Sequence, residues 1–189
     1  TAAEVRAKVV GEGANLGVTQ RGRIAYALKG GRINTDAIDN SAGVNSSDLE
    51  VNIKIALAPV VAAGALDSEA RIAFLASMTD EVAALCLRNN YLQGLALSLA
   101  ERAGTSELPD HRVLIEGLEE RGLLDRAVEF LPSDAVLDAR AAQGKGLTRP
   151  ELAVILAYAK LTLFDDLVAG RAIDTPYLAN ERQQWKGTG

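Results

Sequence analysis

Two kinds of hydrophobic pattern follow one another along the chain. Near the N-terminus, "VRAKVV" (residues 5–10) alternates like a strand and runs into the glycine-rich "GEGANLG" (residues 11–17). Thr19 is placed to cap a helix through "QRGRIAYALK", and Gly30 stands where a left-handed C-terminal residue is needed. "RINTDAI" (residues 32–38) indicates a second short strand. A strand, a helix and a strand within about 35 residues are typical of a βαβ unit with parallel strands.

The next segment has two competing interpretations. Apolar residues alternate strictly between residues 51 and 57, which on periodicity alone favours a strand. Against this, Ser47 and Glu50 have the spacing of a capping box, and alanine-rich sequence follows as far as Pro59. We predict a helix that begins at Ser47.

The remainder of the chain has the three- and four-residue apolar spacing of helices. Asp67 supplies one helix start, and "LTRPEL" supplies another, because Thr148 and Glu151 form a capping box with Pro150 in the first turn. Helical runs are also predicted over residues 112–120, 123–130 and 134–142. The patterns therefore predict a mostly α-helical protein with one βαβ-like unit.

Composition narrows the class of protein. The 189 residues carry 20 Lys and Arg against 25 Asp and Glu, a formal net charge of -5, whereas nucleic-acid binders need a basic face. The single cysteine, Cys86, has no partner for an internal disulfide, and its helical apolar surroundings predict a buried, inert thiol. No stretch approaches the roughly 18 apolar residues of a membrane span. We therefore expect a cytoplasmic protein with neither nucleic-acid nor membrane partners.

The glycine-rich segment has two interpretations. It follows a predicted strand and precedes a predicted helix, and Asp36 or Asp39 lies where a dinucleotide fingerprint has its ribose-binding acid. However, the third glycine, Gly17, is one place late, and the strand before it alternates rather than being apolar throughout. These departures favour a plain strand-to-helix turn.

Few other side chains have the types and spacing that catalysis or metal binding needs. His111 is the only histidine and lies in a polar stretch, which predicts a surface position and no metal site. The stretch from Asn40 to Ser47 differs, because its small polar side chains are neutral donors and acceptors beside a glycine. Two interpretations stay open for it: a turn with a helix cap, or a pocket for an amide or a carboxylate.

Three motifs, in this order, resemble the glutamate dehydrogenase family. "GEGAN" is followed 25 positions later by "NSAGV" and then by "SSDLE", which is similar to the family signature EGAN…NAGGV…S. "DNSAGVNSSDLEVNIKI" together with "LTRPELAVILAYAKLTL" resembles the very large bacterial NAD-dependent members in particular. The resemblance extends to about residue 180. Ser41 and Ala42 depart from the signature, where the family has Ala and Gly.

The resemblance implies roles for three residues. Asn15 would lie against the nicotinamide-ribose end of NAD, Asn40 between the nicotinamide and the substrate, and Ser47 against the distal carboxylate of glutamate. In the family, the catalytic lysine and aspartate lie upstream of the region that this sequence resembles, so no catalytic residue is expected here. The implied reaction, an oxidoreductase step of amino-acid metabolism, converts glutamate and NAD to 2-oxoglutarate, ammonia and NADH. The isolated chain would not perform it.

The resemblance also implies a division of the chain. Residues 1–58 would be the C-terminal part of a Rossmann-type dinucleotide-binding domain, present as a short βαβ-like remnant. Residues 59–180 would form an all-helical region, and residues 181–189 a flexible tail, either native or an added remnant. The remainder of the same polypeptide would complete the pocket, in a full-length protein expected to be a homo-oligomer.

An alternative from another functional class stays open. The leucine-rich faces between about residues 66 and 170 exceed what a small α/β piece of some fifty residues can cover. Such an excess is typical of a helical assembly or regulatory module without a catalytic role.

Overall fold

The computed structural model describes residues 1–2 and 4–170, and within them helices outnumber strands. The elements are β1 Val9–Val10, α1 Gln20–Leu28, β2 Arg32–Ile33, α2 Asp36–Asp39, α3 Ser41–Ala62, α4 Ser68–Ser77, α5 Thr79–Ala103, α6 Leu108–Glu120, α7 Asp134–Ala141 and α8 Arg149–Ala169. A 3₁₀ turn joins α5 to α6. The prediction of a mostly α-helical chain is confirmed. The predicted tail at 181–189 lies outside the described residues, as do the last ten residues of the predicted helical region.

The two strands form a small parallel sheet. Val9 is opposite Arg32 and Val10 is opposite Ile33, so the predicted parallel pairing is confirmed. Both strands are shorter than predicted: β1 covers only Val9–Val10, and residues 36–38 of the predicted second strand belong to α2 instead. A two-stranded pair does not establish a Rossmann-type domain, so that part of the description stays a prediction.

Local capping signals place several helix ends as predicted. The Thr19 hydroxyl accepts a hydrogen bond from the Gly22 amide at 3.2 Å at the start of α1, and Gly30 follows its end with φ +89°. The Asp67 carboxylate caps α4 in the same way. At the start of α8, the capping box between Thr148 and Glu151 is formed.

The predicted start of α3 at Ser47 is wrong. The helix begins at Ser41, so Ser47 and Glu50 are interior residues that form no capping box, and the helix continues through Pro59 to its end. The reason is tertiary: the Asn90 side-chain amide of α5 donates to the Ile38 carbonyl at 3.1 Å and to the Ser41 hydroxyl at 2.8 Å. These bonds hold the junction between α2 and α3 against α5.

The predicted helix at 123–130 is wrong. Residues 121–130 form turns joined by an irregular segment, and Phe130 has a left-handed φ of +56°. The Asp125 carboxylate accepts hydrogen bonds from the amides of Ala127 at 2.9 Å and Val128 at 3.1 Å. Aspartate competes in this way with helical hydrogen bonding, and the apolar spacing alone does not reveal it.

The hydrophobic core lies among the later helices. Ile115 and Leu137 are fully buried, and α8 buries its first turns against this cluster. Ile38, which follows β2, belongs to the same cluster and links the sheet to the helices. In contrast, neither α3 nor α4 contains a buried residue. The described helices include none with the length and apolar character that crossing a bilayer requires.

Candidate functional site

The structure brings Asn15 and Asn40 together. Asn15 lies in the loop between β1 and α1, and Asn40 lies between α2 and α3. The Asn40 side-chain nitrogen donates a hydrogen bond of 2.7 Å to the Asn15 side-chain oxygen. Gly43 stands next to the pair, and a Cβ atom there would lie 3.0 Å from the Asn40 side-chain oxygen. The glycine therefore leaves that oxygen uncovered by a side chain.

The pair lines an open cleft of about 430 Å³. Four neutral amides line it, because Asn45 of α3 and Gln93 of α5 join the two asparagines, and the carboxylates of Asp36 and Asp48 line it as well. The cleft also receives Lys160 of α8, whose ammonium group donates to the Gln93 side-chain oxygen at 2.7 Å. The cleft therefore offers several neutral donors and acceptors together with two carboxylates and one lysine.

Three carboxylates hold the loop that carries Asn15. The Glu12 amide donates to Asp39 at 2.7 Å, the Leu16 amide to Asp36 at 3.0 Å, and the Val18 amide to the side chain of Glu12 at 2.8 Å. Leu16 itself has a left-handed φ of +60°, which a non-glycine residue adopts only when its surroundings impose it. The loop is thus anchored on both sides of Asn15.

A buried ion pair lies under this loop. Arg23 of α1 donates through Nε and Nη2 to both oxygens of Glu12, each at 2.7 Å, and both side chains are about 95% buried. The hydrogen bonds from Arg23 hold the pKa of Glu12 below its ordinary range, against the opposing effect of burial. The same bonds raise the pKa of Arg23. Glu12 therefore stays ionised and serves the loop as an acceptor.

These contacts decide between the two interpretations of the glycine-rich segment. A dinucleotide fingerprint needs a tight turn directly into a helix and an acid free for the ribose. Here α1 begins three residues after Gly17, and both Asp36 and Asp39 accept hydrogen bonds from loop amides. The segment is an anchored strand-to-helix loop, as the departures in its spacing favour.

Ser47 is not among the residues that line the cleft. Asp48, its neighbour on α3, does line the cleft, and successive helical residues point about 100° apart. Ser47 is exposed beside the face that carries Asn45 and Asp48. The structure therefore places two of the three predicted site residues in contact and leaves the third on a neighbouring face.

His111 does not lie at the surface, contrary to the sequence prediction. Its side chain is only 14% exposed rather than at the surface, and its Nδ1 atom is buried without a hydrogen-bond partner. Cys86 is buried as predicted, at 7% exposure. Among the described residues, no group of three or more histidine, cysteine, aspartate or glutamate side chains is arranged to hold a metal ion.

The sequence patterns do not single out Gln93 and Lys160 as residues of the cleft. Gln93 lies 53 residues from Asn40, and Lys160 forms its hydrogen bond to Gln93 across 67 residues. No local spacing rule connects residues so far apart. The sequence also did not predict that Glu12 and Arg23 form a buried ion pair. Charged residues are usually exposed, so a charged residue beside a glycine usually indicates a solvated position.

Two family models match the sequence. The model described as "Bacterial NAD-glutamate dehydrogenase, catalytic domain" matches residues 1–100. The model described as "Glutamate dehydrogenase, C-terminal" matches residues 144–184. The first match covers more than half of the chain and includes Asn15, Asn40 and Ser47.

Curated relatives agree with these matches. Proteins named NAD-specific glutamate dehydrogenase are 51% identical over 180 residues in Pseudomonas aeruginosa and 50% identical over 173 residues in Halomonas elongata. A third protein of that name, in Mycobacterium tuberculosis, is 47% identical over 178 residues. The matches cover 95%, 92% and 94% of this chain respectively, and the chain spans 11% of the length of each relative.

Proposed function

Because the chain belongs to the family of bacterial NAD-glutamate dehydrogenases, we propose that it forms one wall of the cofactor and substrate pocket of such an enzyme. The proposed reaction converts glutamate, NAD and water to 2-oxoglutarate, ammonium, NADH and a proton. NAD accepts the hydride in this reaction, and the chain's own residues bind and orient the reactants.

The hydrogen bond between Asn15 and Asn40 is the observation that carries this proposal. It uses one N–H of Asn40 and one lone pair of Asn15, so each amide keeps further donors and acceptors for a ligand. A nicotinamide carboxamide and ribose hydroxyls are neutral groups of the same kind. The cleft therefore fits the nicotinamide end of NAD, with Asn15 and Asn40 as cofactor contacts and Asn40 also facing the substrate.

Two of the three titratable residues that line the cleft are already engaged by other groups. Lys160 is bonded to Gln93, and Asp36 is paired with Arg23 and a loop amide. We therefore propose that the catalytic groups come from the remainder of the same polypeptide, and that the isolated chain is inactive. Hydride transfer needs both walls of a cleft, because together they hold the cofactor and the substrate close and correctly oriented for reaction.

The domain division follows from the same proposal. Residues 1–58 would be the end of a Rossmann-type domain, and the parallel pairing of β1 with β2 is compatible with this. Residues 59–180 would be the helical region. The full-length enzyme would act on glutamate in the cytoplasm as a homo-oligomer.

In the full-length enzyme, Asn40→Ala is expected to lower kcat/KM by the equivalent of about 1–3 kcal/mol, since it removes the contact to Asn15 and leaves polar groups unpaired. Steady-state kinetics with NAD and glutamate varied separately measure this effect. Asn52→Ala is the matched control, because Asn52 is an exposed asparagine of α3 that bonds only its own helix. Equal activity of Asn40→Ala and the wild type would refute the proposal.

Ser47→Ala probes the substrate end in the same assay. If Ser47 contacts the distal carboxylate, the apparent affinity for glutamate falls by about 1–3 kcal/mol while the KM for NAD stays constant. An unchanged KM and kcat would remove Ser47 from the site and leave the role of the asparagine pair standing.

Exposed apolar residues favour a second candidate function, a helical assembly module. Ile72 and Phe74 of α4 are 64% and 46% exposed, and Leu87 and Tyr91 of α5 are 70% and 66% exposed. Such a surface is typical of a region that another chain or another part of the protein covers. In sedimentation velocity, a strictly monomeric chain with no affinity for the rest of the enzyme would remove this candidate.

A further inference from the structure

We infer that Arg149 is a positioning residue for the asparagine pair, because it holds the loop of Asn15 through a chain of hydrogen bonds that passes by way of Asn34 and Asp39. This inference rests on the proposed function, since it gives Arg149 a part in the same half-pocket. Arg149 itself contacts neither Asn15 nor Asn40. It acts on them from the helical part of the chain.

All three nitrogens of the Arg149 guanidinium group donate hydrogen bonds. Its Nε donates to the side-chain oxygen of Asn34, and its Nη2 donates to the carbonyl of Gly94 at 3.1 Å. Its Nη1 donates to the Ser98 hydroxyl at 3.0 Å and to the Glu101 carboxylate at 3.3 Å. The side chain is 18% exposed. The first residue of α8 is thus tied both to α5 and to the residue that follows β2.

Asn34 passes this contact on towards the loop. Its oxygen accepts from Arg149, and its nitrogen donates to Asp39 at 2.7 Å. The other oxygen of Asp39 accepts from the Glu12 amide at 2.7 Å. An asparagine suits this place because one end of its amide accepts from a cation and the other donates to a carboxylate.

Both members of the asparagine pair depend on this chain of contacts. Glu12 lies three residues before Asn15 in the anchored loop, and Asp39 directly precedes Asn40. A shift of Asp39 would therefore move the amide that anchors the loop and the backbone that carries Asn40 together. The hydrogen bond between the two asparagines requires both to stay in place.

Helix α8 does not need an arginine at position 149 for its own stability. Thr148 and Glu151 already cap the helix, and a cation in the first turn opposes the helix dipole. The contacts that Arg149 makes lie 48 to 115 residues away in the sequence. They join distant elements instead of supporting the helix that carries them.

The chain of contacts borders a second open cleft of about 530 Å³, which Arg149, Asn34 and Asp39 help to line. Water can therefore enter when the guanidinium is removed. A shortened side chain at position 149 breaks the connection without opening a sealed cavity in the core, which makes the inference testable in a folded protein.

In the full-length enzyme, Arg149→Met and Asn34→Ala are each expected to lower kcat/KM for NAD by about tenfold, since small displacements of positioning groups weaken productive binding. The double variant should be no worse than the more impaired single variant, because both changes break one connection. Hydrogen exchange of the Glu12 amide, measured without cofactor, should become faster in both single variants. Arg149→Lys should behave like Arg149→Met, because one ammonium group does not replace a planar fork.

Arg121→Met is the matched control. Arg121 also joins an earlier element to α8, through Asp166 at 2.9 Å, but it is half exposed and has no bond to this chain of contacts. The Arg121→Met variant should leave kcat/KM for NAD and the hydrogen exchange of the Glu12 amide unchanged. If Arg149→Met does not fold, Arg149→Lys and Asn34→Ala test the inference instead, through the same kcat/KM and hydrogen-exchange measurements.

Two results would overturn the inference. One is a folded Asn34→Ala enzyme with wild-type kinetics, and the other is a double variant whose losses multiply, which indicates independent contacts. Asn40→Ala separates this failure from failure of the proposed function. If Asn40→Ala impairs the enzyme and Asn34→Ala does not, only the role of Arg149 is refuted. If neither impairs it, the proposed function fails as well.

Discussion

Arg23→Met is expected to lower the free energy of unfolding by about 3–5 kcal/mol, because it leaves the Glu12 carboxylate buried without its cation. Glu12 is 4% exposed and also accepts the Val18 amide, so it cannot turn to water without releasing the loop. Asp36 loses its contact with Arg23 at the same time. The loop that carries Asn15 should therefore loosen together with the sheet and α1.

Urea unfolding of the chain, followed by far-UV circular dichroism, measures this loss. The double variant Arg23→Met/Glu12→Leu should regain most of it, since removing both charges eliminates the uncompensated carboxylate. Arg121→Met removes an exposed cation and should leave the midpoint unchanged. An Arg23→Met chain with the wild-type midpoint would contradict the expected cost of the buried charge.

The pH dependence gives a second measurement of the same pair. The pKa of Glu12 is lowered in the folded state, mainly by the hydrogen bonds from Arg23. Its contribution to stability is therefore fully present above the unfolded value of about 4.3 and is lost as the pH falls through the lowered pKa. The difference in stability between the wild type and Arg23→Met should narrow over that acidic range.

Glu151→Ala is expected to cost about 3–5 kcal/mol, because it removes a fully buried carboxylate on which four hydrogen bonds converge. Arg140 donates to it at 2.7 and 3.0 Å, and Thr148 donates through its amide at 2.6 Å and through its hydroxyl at 2.7 Å. The variant leaves the Arg140 guanidinium unpaired and opens the first turn of α8. The same unfolding experiment measures the loss.

Two variants calibrate the result for Glu151. Glu151→Gln keeps the shape but not the charge, so it should fall between the wild type and Glu151→Ala. Glu50→Ala removes an exposed carboxylate that pairs with Lys54 along α3, and it should leave the midpoint unchanged. Equal midpoints for Glu151→Ala and Glu50→Ala would show that burial of this carboxylate has no structural consequence.

Local signals in the sequence were sufficient where a helix end depends on its own residues. Thr19, Asp67 and the pair Thr148 and Glu151 cap their helices as predicted, because a side-chain oxygen within three residues reaches the free amides. The same reasoning misplaced the start of α3 at Ser47. The start of α3 coincides instead with contacts from a distant helix, because Asn90 of α5 holds Ile38 and Ser41 in place.

The candidate site was predictable only in part. The resemblance implied roles for Asn15 and Asn40, which stay predictions, and the structure shows the two residues in contact. It does not indicate that Glu12 and Arg23 hold the loop from below, or that Lys160 enters the same cleft. The carboxylates of Asp36 and Asp39 have the spacing of ribose ligands, but the loop amides occupy them.

The sequence by itself determined the family, the helical character and the capped helix ends, because these depend on motifs and on neighbours within one or two turns. Only the tertiary structure decided which charged residues are buried, where α3 begins and how Arg149 reaches the loop. The physical reason is that a buried carboxylate or guanidinium must find its partner wherever the fold places one. For the partly buried Arg149, one such partner, Asn34, lies 115 residues away in the chain.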